Sequence, residues 1–112
     1  MKFFVTYQMP YQGLDAWLKL PEAERKAQEQ QMQSEWNSWM SVHKDSLVET
    51  AGVGKPKRVS KEGVEDSRND LMMYSFVEAE SLEAVAGMFK DHPHFGIPGG
   101  VIEVMPVNKN IG

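Results

Sequence analysis

The apolar residues of this chain recur with two periods, and their succession predicts a fold. Residues 2–8, KFFVTYQ, are rich in aromatic and β-branched types and predict a strand. Phe3, Val5 and Tyr7 share one face of it, and Phe4, Thr6 and Gln8 share the other. Pro10 and Gly13 break the pattern, and Leu14, Trp17 and Leu18 have the spacing of one helical turn before Leu20-Pro21. A long helix follows over about 22–43, roughly 33 Å in length, with Glu22 and Glu24 placed at the positive end of its dipole. Its apolar stripe is Met32, Trp36, Trp39, Met40 and His43. Continued toward the N-terminus, that stripe meets Arg25, Gln28 and Glu29. The C-terminal half should therefore pack on a sheet, while the N-terminal half overhangs into water or a partner.

The second half of the chain repeats the alternation. Residues 47–53 read as a strand, and residues 55–70 as a polar loop or an irregular edge hairpin. Residues 71–79 form the clearest strand, with Leu71, Met73 and Val77 opposite Met72, Tyr74 and Phe76. Ser81 is a good N-cap for a helix carrying a core stripe of Leu82, Val85, Ala86 and Phe89. Pro93 requires that helix to end by His92. A turn at Gly96, Pro98, Gly99 and Gly100 leads into a last strand over 101–107. The strands are apolar on both faces, and two helices can cover only one. The other face calls for a partner, and the simplest is a second copy.

Composition narrows the functions without choosing one. A chain of 112 residues suits one domain spanning 1–112, and 41% hydrophobic with 25% charged residues is ordinary for a globular protein. A net charge of −4 gives no reason to expect nucleic acid or an anionic membrane surface. With no cysteine there is no disulfide, thiolate nucleophile or cysteine metal site. Met1-Lys2 is followed by three apolar residues, Phe3 to Val5, far short of a signal sequence or membrane span, so the expected location is cytoplasmic.

The candidate chemistry lies in a few side chains. His92 and His94 flank Pro93, and imidazoles titrate near neutrality, so they are the candidate catalytic acid–base pair. The structural alternative has His92 capping helix carbonyls and His94 in a turn. No metal is expected, because only Asp91 lies near them in sequence. Trp36, Trp39, Tyr7 and Tyr74 are candidates to bind a flat or apolar ligand, with core and dimer packing as the alternative. Gly52-Val-Gly54-Lys55 lacks the spacing of a phosphate loop, and Pro56 prevents a helix from starting with free amides. The cations Lys55, Lys57, Arg58 and Lys61 are offset by Glu62, Glu65, Asp66 and Asp70, which suits a solvated loop.

Trp36-Asn-Ser-Trp39-Met40, Val48-Glu-Thr-Ala-Gly52, and the run from Ser81-Leu-Glu-Ala through His92-Pro-His94 to Gly99-Gly-Val-Ile-Glu-Val104 give the chain a further signature. In the order and spacing of these segments it resembles the YCII-related family, in a branch with a WxxW helix and an HPH…GGxIEV segment. The resemblance implies a ferredoxin-like βαββαβ fold: a four-stranded antiparallel sheet with two helices on one face, pairing into a dimeric α+β barrel. Some relatives resemble lactone-acting and dehalogenating enzymes. The founding branch has a His–Asp pair whose histidine would fall near Met32 to Ser34, where this chain has none. The DGPF motif of a sister branch is replaced here by residues 62–70, EGVEDSRND.

Two functions follow. In the first, the protein binds or transforms a small organic molecule between sheet and helices by isomerase-, lyase- or dehalogenase-like acid–base chemistry, without a cofactor. In the second, it is a non-catalytic dimeric interaction or regulatory module.

Overall fold

Alternation in the first strand sets the layering of the whole molecule. In the computed structural model, which describes residues 1–108, β1 (Lys2–Gln8) buries Phe3, Val5 and Tyr7 almost completely. It lies inside a four-stranded antiparallel sheet, between β5 (Leu71–Glu78) and β6 (Val101–Pro106), and β2 (Leu47–Gly52) pairs with the outer side of β5. Phe3 lies opposite Val77, Val5 opposite Ser75 and Tyr7 opposite Met73, which puts these six on one face. Ile102 and Val104 of β6 join them beside Tyr7 and Val5. This is the α+β, ferredoxin-like arrangement that the resemblance implies and with which the element order agrees.

The helices cover that face unevenly. In α2 (Glu22–His43) only Trp36 is buried, while Met32, Trp39 and Met40 pack partly against the core. The first ten residues of α2 are exposed except Arg25, because no apolar side chain on that stretch has a surface to bury against. The radius of gyration, 15.9 Å, exceeds the roughly 13 Å expected for a compact chain of this length. Helix α1 (Tyr11–Leu18) is longer than the single turn expected at 14–18. It is joined to α2 by Trp17, whose Nε1–H donates to Gln28 Oε1 at 2.8 Å.

In α3 (Leu82–Met88), Ser81 Oγ accepts the amide of Ala84 at 3.1 Å, as an N-cap should. Its buried contacts are Val85 and the C-cap residue Phe89, with Met88 partly buried. Leu82 and Ala86, expected in the core, are exposed, so the buried stripe is narrower than the sequence suggested. Residues 57–66 form a separate two-stranded hairpin of β3 (Lys57–Ser60) and β4 (Gly63–Asp66), every residue of which is exposed. No helix among the described residues is long and apolar enough to cross a membrane.

The opposite sheet face carries Phe4, Thr6, Met72, Tyr74, Phe76 and Met105. Phe4, Tyr74 and Phe76 form a triad with ring centroids 5.2–5.9 Å apart, and Lys2 Nζ lies 4.6 Å from the Phe76 ring. The helix residues of the core, Trp36, Val85 and Phe89, pack with Phe3, Val5 and Tyr7 on the other face.

Candidate functional site

Two sequence signals bring the histidines inside. Helix α3 stops at Met88, short of the limit that Pro93 sets, and Pro93 fixes the backbone at the start of a short 3-10 turn, Pro93–Gly96, whose N-cap is His92. Gly100 then lets the chain fold back tightly, since a Cβ there would lie 2.6 Å from the His94 carbonyl oxygen and 3.0 Å from that of Ile97. Gly99 supports the same turn with a φ of +73°. As a result His92 and His94 are each only 2% exposed.

His92 Nδ1 accepts the backbone N–H of His94 at 2.9 Å. This replaces the expected capping of helix carbonyls with a cap of the 3-10 turn. The bond requires an unprotonated Nδ1, so the neutral ring carries its proton on Nε2. That Nε2 is buried and has no hydrogen-bond partner. Burial, reinforced by His94 and His43, holds the imidazole in its neutral form and brings its pKa down to about 4. His94 is fixed differently: its Nε2 lies 2.7 Å from the carbonyl oxygen of Gln8, to which it donates, and so ties the turn to the end of β1.

Aromatic rings enclose His92. The centroids of Trp36 and Trp39 lie 4.3 and 4.4 Å away, both edge to face, with Tyr7 at 5.3 Å and Phe89 at 5.6 Å. Trp39 also stacks obliquely on His43, a half-buried ring 4.4 Å away. Tyr7 turns its hydroxyl the other way, 2.7 Å from Ser75 Oγ, which in turn lies 2.7 Å from Thr50 Oγ1. Burial raises the Tyr7 pKa to about 12 despite the Ser75 hydrogen bond. Its hydroxyl is thus a neutral member of a hydroxyl chain across β1, β5 and β2, and that chain was not foreseen from the sequence.

Of the six candidate residues, the fold gathers His92, His94, Trp36, Trp39 and Tyr7. It places Tyr74 on the opposite sheet face, where burial and Glu49 raise its pKa. Neighbouring rings of the gathered group have centroids 4.3–5.8 Å apart. Outside them a shallow groove of about 430 Å³ runs between α2 and the 3-10 turn, lined by Ser34, Glu35, Ser38, Trp39, Asp91 and Pro93. Trp39 lines this groove and also packs on His92, 4.4 Å away between ring centroids. Among the described residues no three His, Cys, Asp or Glu side chains converge as metal ligands.

Chemically, His92 at neutral pH is a hydrogen-bond donor through Nε2–H, with its Nδ1 already occupied. A neutral imidazole in such a position polarises a carbonyl or phenolic oxygen and is a poor base.

No family model matches the chain, and no curated protein matches it. Among solved structures it is similar to 5-chloro-2-hydroxyhydroquinone dehydrochlorinase (TftG) from Burkholderia phenoliruptrix AC1100, solved in complex with 2,5-dihydroxybenzoquinone. The TM-score is 0.59 and the identity 11%, over 98% of this chain and 96% of that one. The two share a fold. At that identity the likeness extends to architecture and to no particular residue.

Proposed function

We propose that this protein is a YCII-like dimeric α+β barrel that binds and transforms a small, flat organic molecule beside His92. The observation that carries the reading is the unpartnered Nε2 of His92, buried among Trp36, Trp39, Tyr7 and Phe89. A buried N–H without an acceptor costs free energy, and an oxygen of a bound ligand would supply the missing partner. Trp39 both lines the groove on α2 and packs on the His92 ring, so its rotation is the proposed entry step. The shared fold of a dehydrochlorinase that acts on a hydroxyhydroquinone supports a ligand of that size and flatness. His92 would polarise the ligand oxygen, and the tryptophans would form the walls. His94 would hold the His92 ring by its backbone N–H and act as a positioning residue.

The partner in this reading is a second copy, seated on the open face through Phe4, Tyr74 and Phe76. The surface is self-complementary in kind, an aromatic centre flanked by Lys2, Glu49 and Glu103.

One observation favours the non-catalytic alternative: the rings around His92 are closely packed and Tyr7 commits its hydroxyl to Ser75. A panel of chlorinated hydroquinones, lactones and halogenated acids separates the two readings. Turnover by the wild type that His92→Phe abolishes, with the fold kept, supports the enzyme. A panel that is neither bound nor turned over leaves the interaction module as the better account.

A further inference from the structure

The base of the β3–β4 hairpin frames a second, half-open cavity, away from the histidines. It measures about 410 Å³ and is lined by Lys55, Pro56 and Lys57 on one arm and by Asp66, Ser67 and Arg68 on the other. That volume is within the range of small-molecule sites, roughly 300–1,000 Å³. Its frame is fixed by specific bonds. Ser67 N–H donates to the Pro56 carbonyl at 3.2 Å and closes the hairpin base. Arg68 donates to both carboxylate oxygens of Asp15, at 3.0 and 2.8 Å, and its guanidinium lies 5.0 Å from the Tyr11 ring. Lys57 pairs with Asp66 across the hairpin.

The charges around this cavity do not cancel. Arg68, Lys55 and Lys19 together hold the Asp15 carboxyl below the usual carboxylate range, so their fields meet at this corner. The residues that line the cavity carry three cations, Lys55, Lys57 and Arg68, against one anion, Asp66, and with Asp15 bound to Arg68 one positive charge is left over, in a chain of net charge −4. Among the described residues Lys55 makes no ion pair. Lys57 and Arg68 each have more N–H donors than their carboxylate partners occupy. Of the anions in the 62–70 segment, which from sequence suggested a solvated loop, Asp66 pairs with Lys57 and Asp70 accepts the Tyr11 N–H at 3.1 Å.

We propose that this cavity binds a small dianion carrying a phosphoryl group or paired carboxylates, held by Lys55 with the spare donors of Lys57 and Arg68. Arg68 is pre-positioned by Asp15 and Tyr11, so binding has to order only the two lysines. The proposal does not depend on the His92 site.

Titration of the labelled full-length chain with pyrophosphate, malonate or sodium chloride at matched ionic strength, followed by amide chemical shifts, tests it. Saturable shifts at 55–57 and 66–68 with pyrophosphate or malonate, absent with chloride, are expected, and the stronger arm identifies the anion class. Lys55→Glu should weaken binding at least about tenfold, because attraction becomes repulsion in a half-enclosed site. Lys55→Arg should retain it, and the same spectra report whether each variant is folded. Shifts that follow ionic strength alone, fail to saturate, or are unchanged in Lys55→Glu overturn the proposal.

Discussion

His92 and His94 are joined by a backbone-to-imidazole hydrogen bond of 2.9 Å that settles which nitrogen of His92 can hold a proton. One contact thus converts a sequence-level pair of titratable groups into an asymmetric arrangement. His92 is a neutral donor facing the aromatic rings, and His94 is a strut between the 3-10 turn and β1.

This arrangement has a pH signature. The His92 pKa lies near 4 in the folded protein against about 6.5 in the unfolded chain, so the unfolded state takes up the proton first. The contribution to stability is complete above about pH 6.5 and is lost progressively as pH falls toward 4, reaching on the order of 3 kcal/mol. Urea midpoints measured between pH 4 and 7.5 should show this slope, and His92→Phe should flatten it. A slope that persists in His92→Phe would assign it to the carboxylates.

Trp36 is the one fully docked side chain of α2, packed 5.1 Å from Tyr7 and 4.3 Å from His92. Trp36→Ala and Phe89→Ala should each destabilise by about 3–5 kcal/mol. Gln28→Ala removes one exposed bond to Trp17 and should cost less than about 0.5 kcal/mol. Denaturant midpoints for the three variants check the order, and a Gln28 effect comparable to that of Trp36 would contradict the observed helix phase.

Gly100 supports the site from behind. A methyl group there meets the carbonyl oxygens of His94 and Ile97, which are backbone atoms with little freedom to move. Gly100→Ala should therefore destabilise by about 1–3 kcal/mol and change the side-chain NMR signals of both histidines. Wild-type-like signals and stability would show that the turn has slack.

The proposed pairing predicts a mass of twice 12.7 kDa in sedimentation at micromolar concentration. Phe76→Glu places a carboxylate in the Phe4–Tyr74–Phe76 triad and should give a folded monomer. A wild-type monomer, or a Phe76→Glu dimer, would remove the open face from the interface.

Much of the fold was legible because its signals are local. The alternation in residues 2–8 and 71–79, the stripe from Met32 to His43 and the Ser81 cap each depend on a few neighbouring residues. The overhang of α2 was legible too, since Arg25, Gln28 and Glu29 interrupt the stripe. What was hidden depended on contacts between distant segments. Tyr7 and Tyr74 read as equivalent until pairing of Tyr7 with Met73 put them on opposite faces. The burial of His92 and His94 follows from Gly100 closing the turn and from the Gln8 carbonyl 86 residues away, neither of which has a local signature for a buried histidine. The hairpin at 57–66 was one of two readings for its segment, because its single valine pair, Val59 with Val64, gives little alternation to read. The cavity beneath it needs Asp15 and Arg68, 53 residues apart, to be brought together.

The most direct test of the His92 site is the imidazole ¹⁵N spectrum of the labelled protein during titration with 2,5-dihydroxybenzoquinone and related hydroxyquinones. The account predicts that free His92 shows a neutral ring protonated on Nε2. It predicts that ligand moves the Nε2–H resonance downfield in a saturable way as an oxygen acceptor arrives, with the Trp39 indole signal shifting in parallel. An Nε2 resonance that stays fixed while the panel is added, or a free ring protonated on Nδ1, would contradict it.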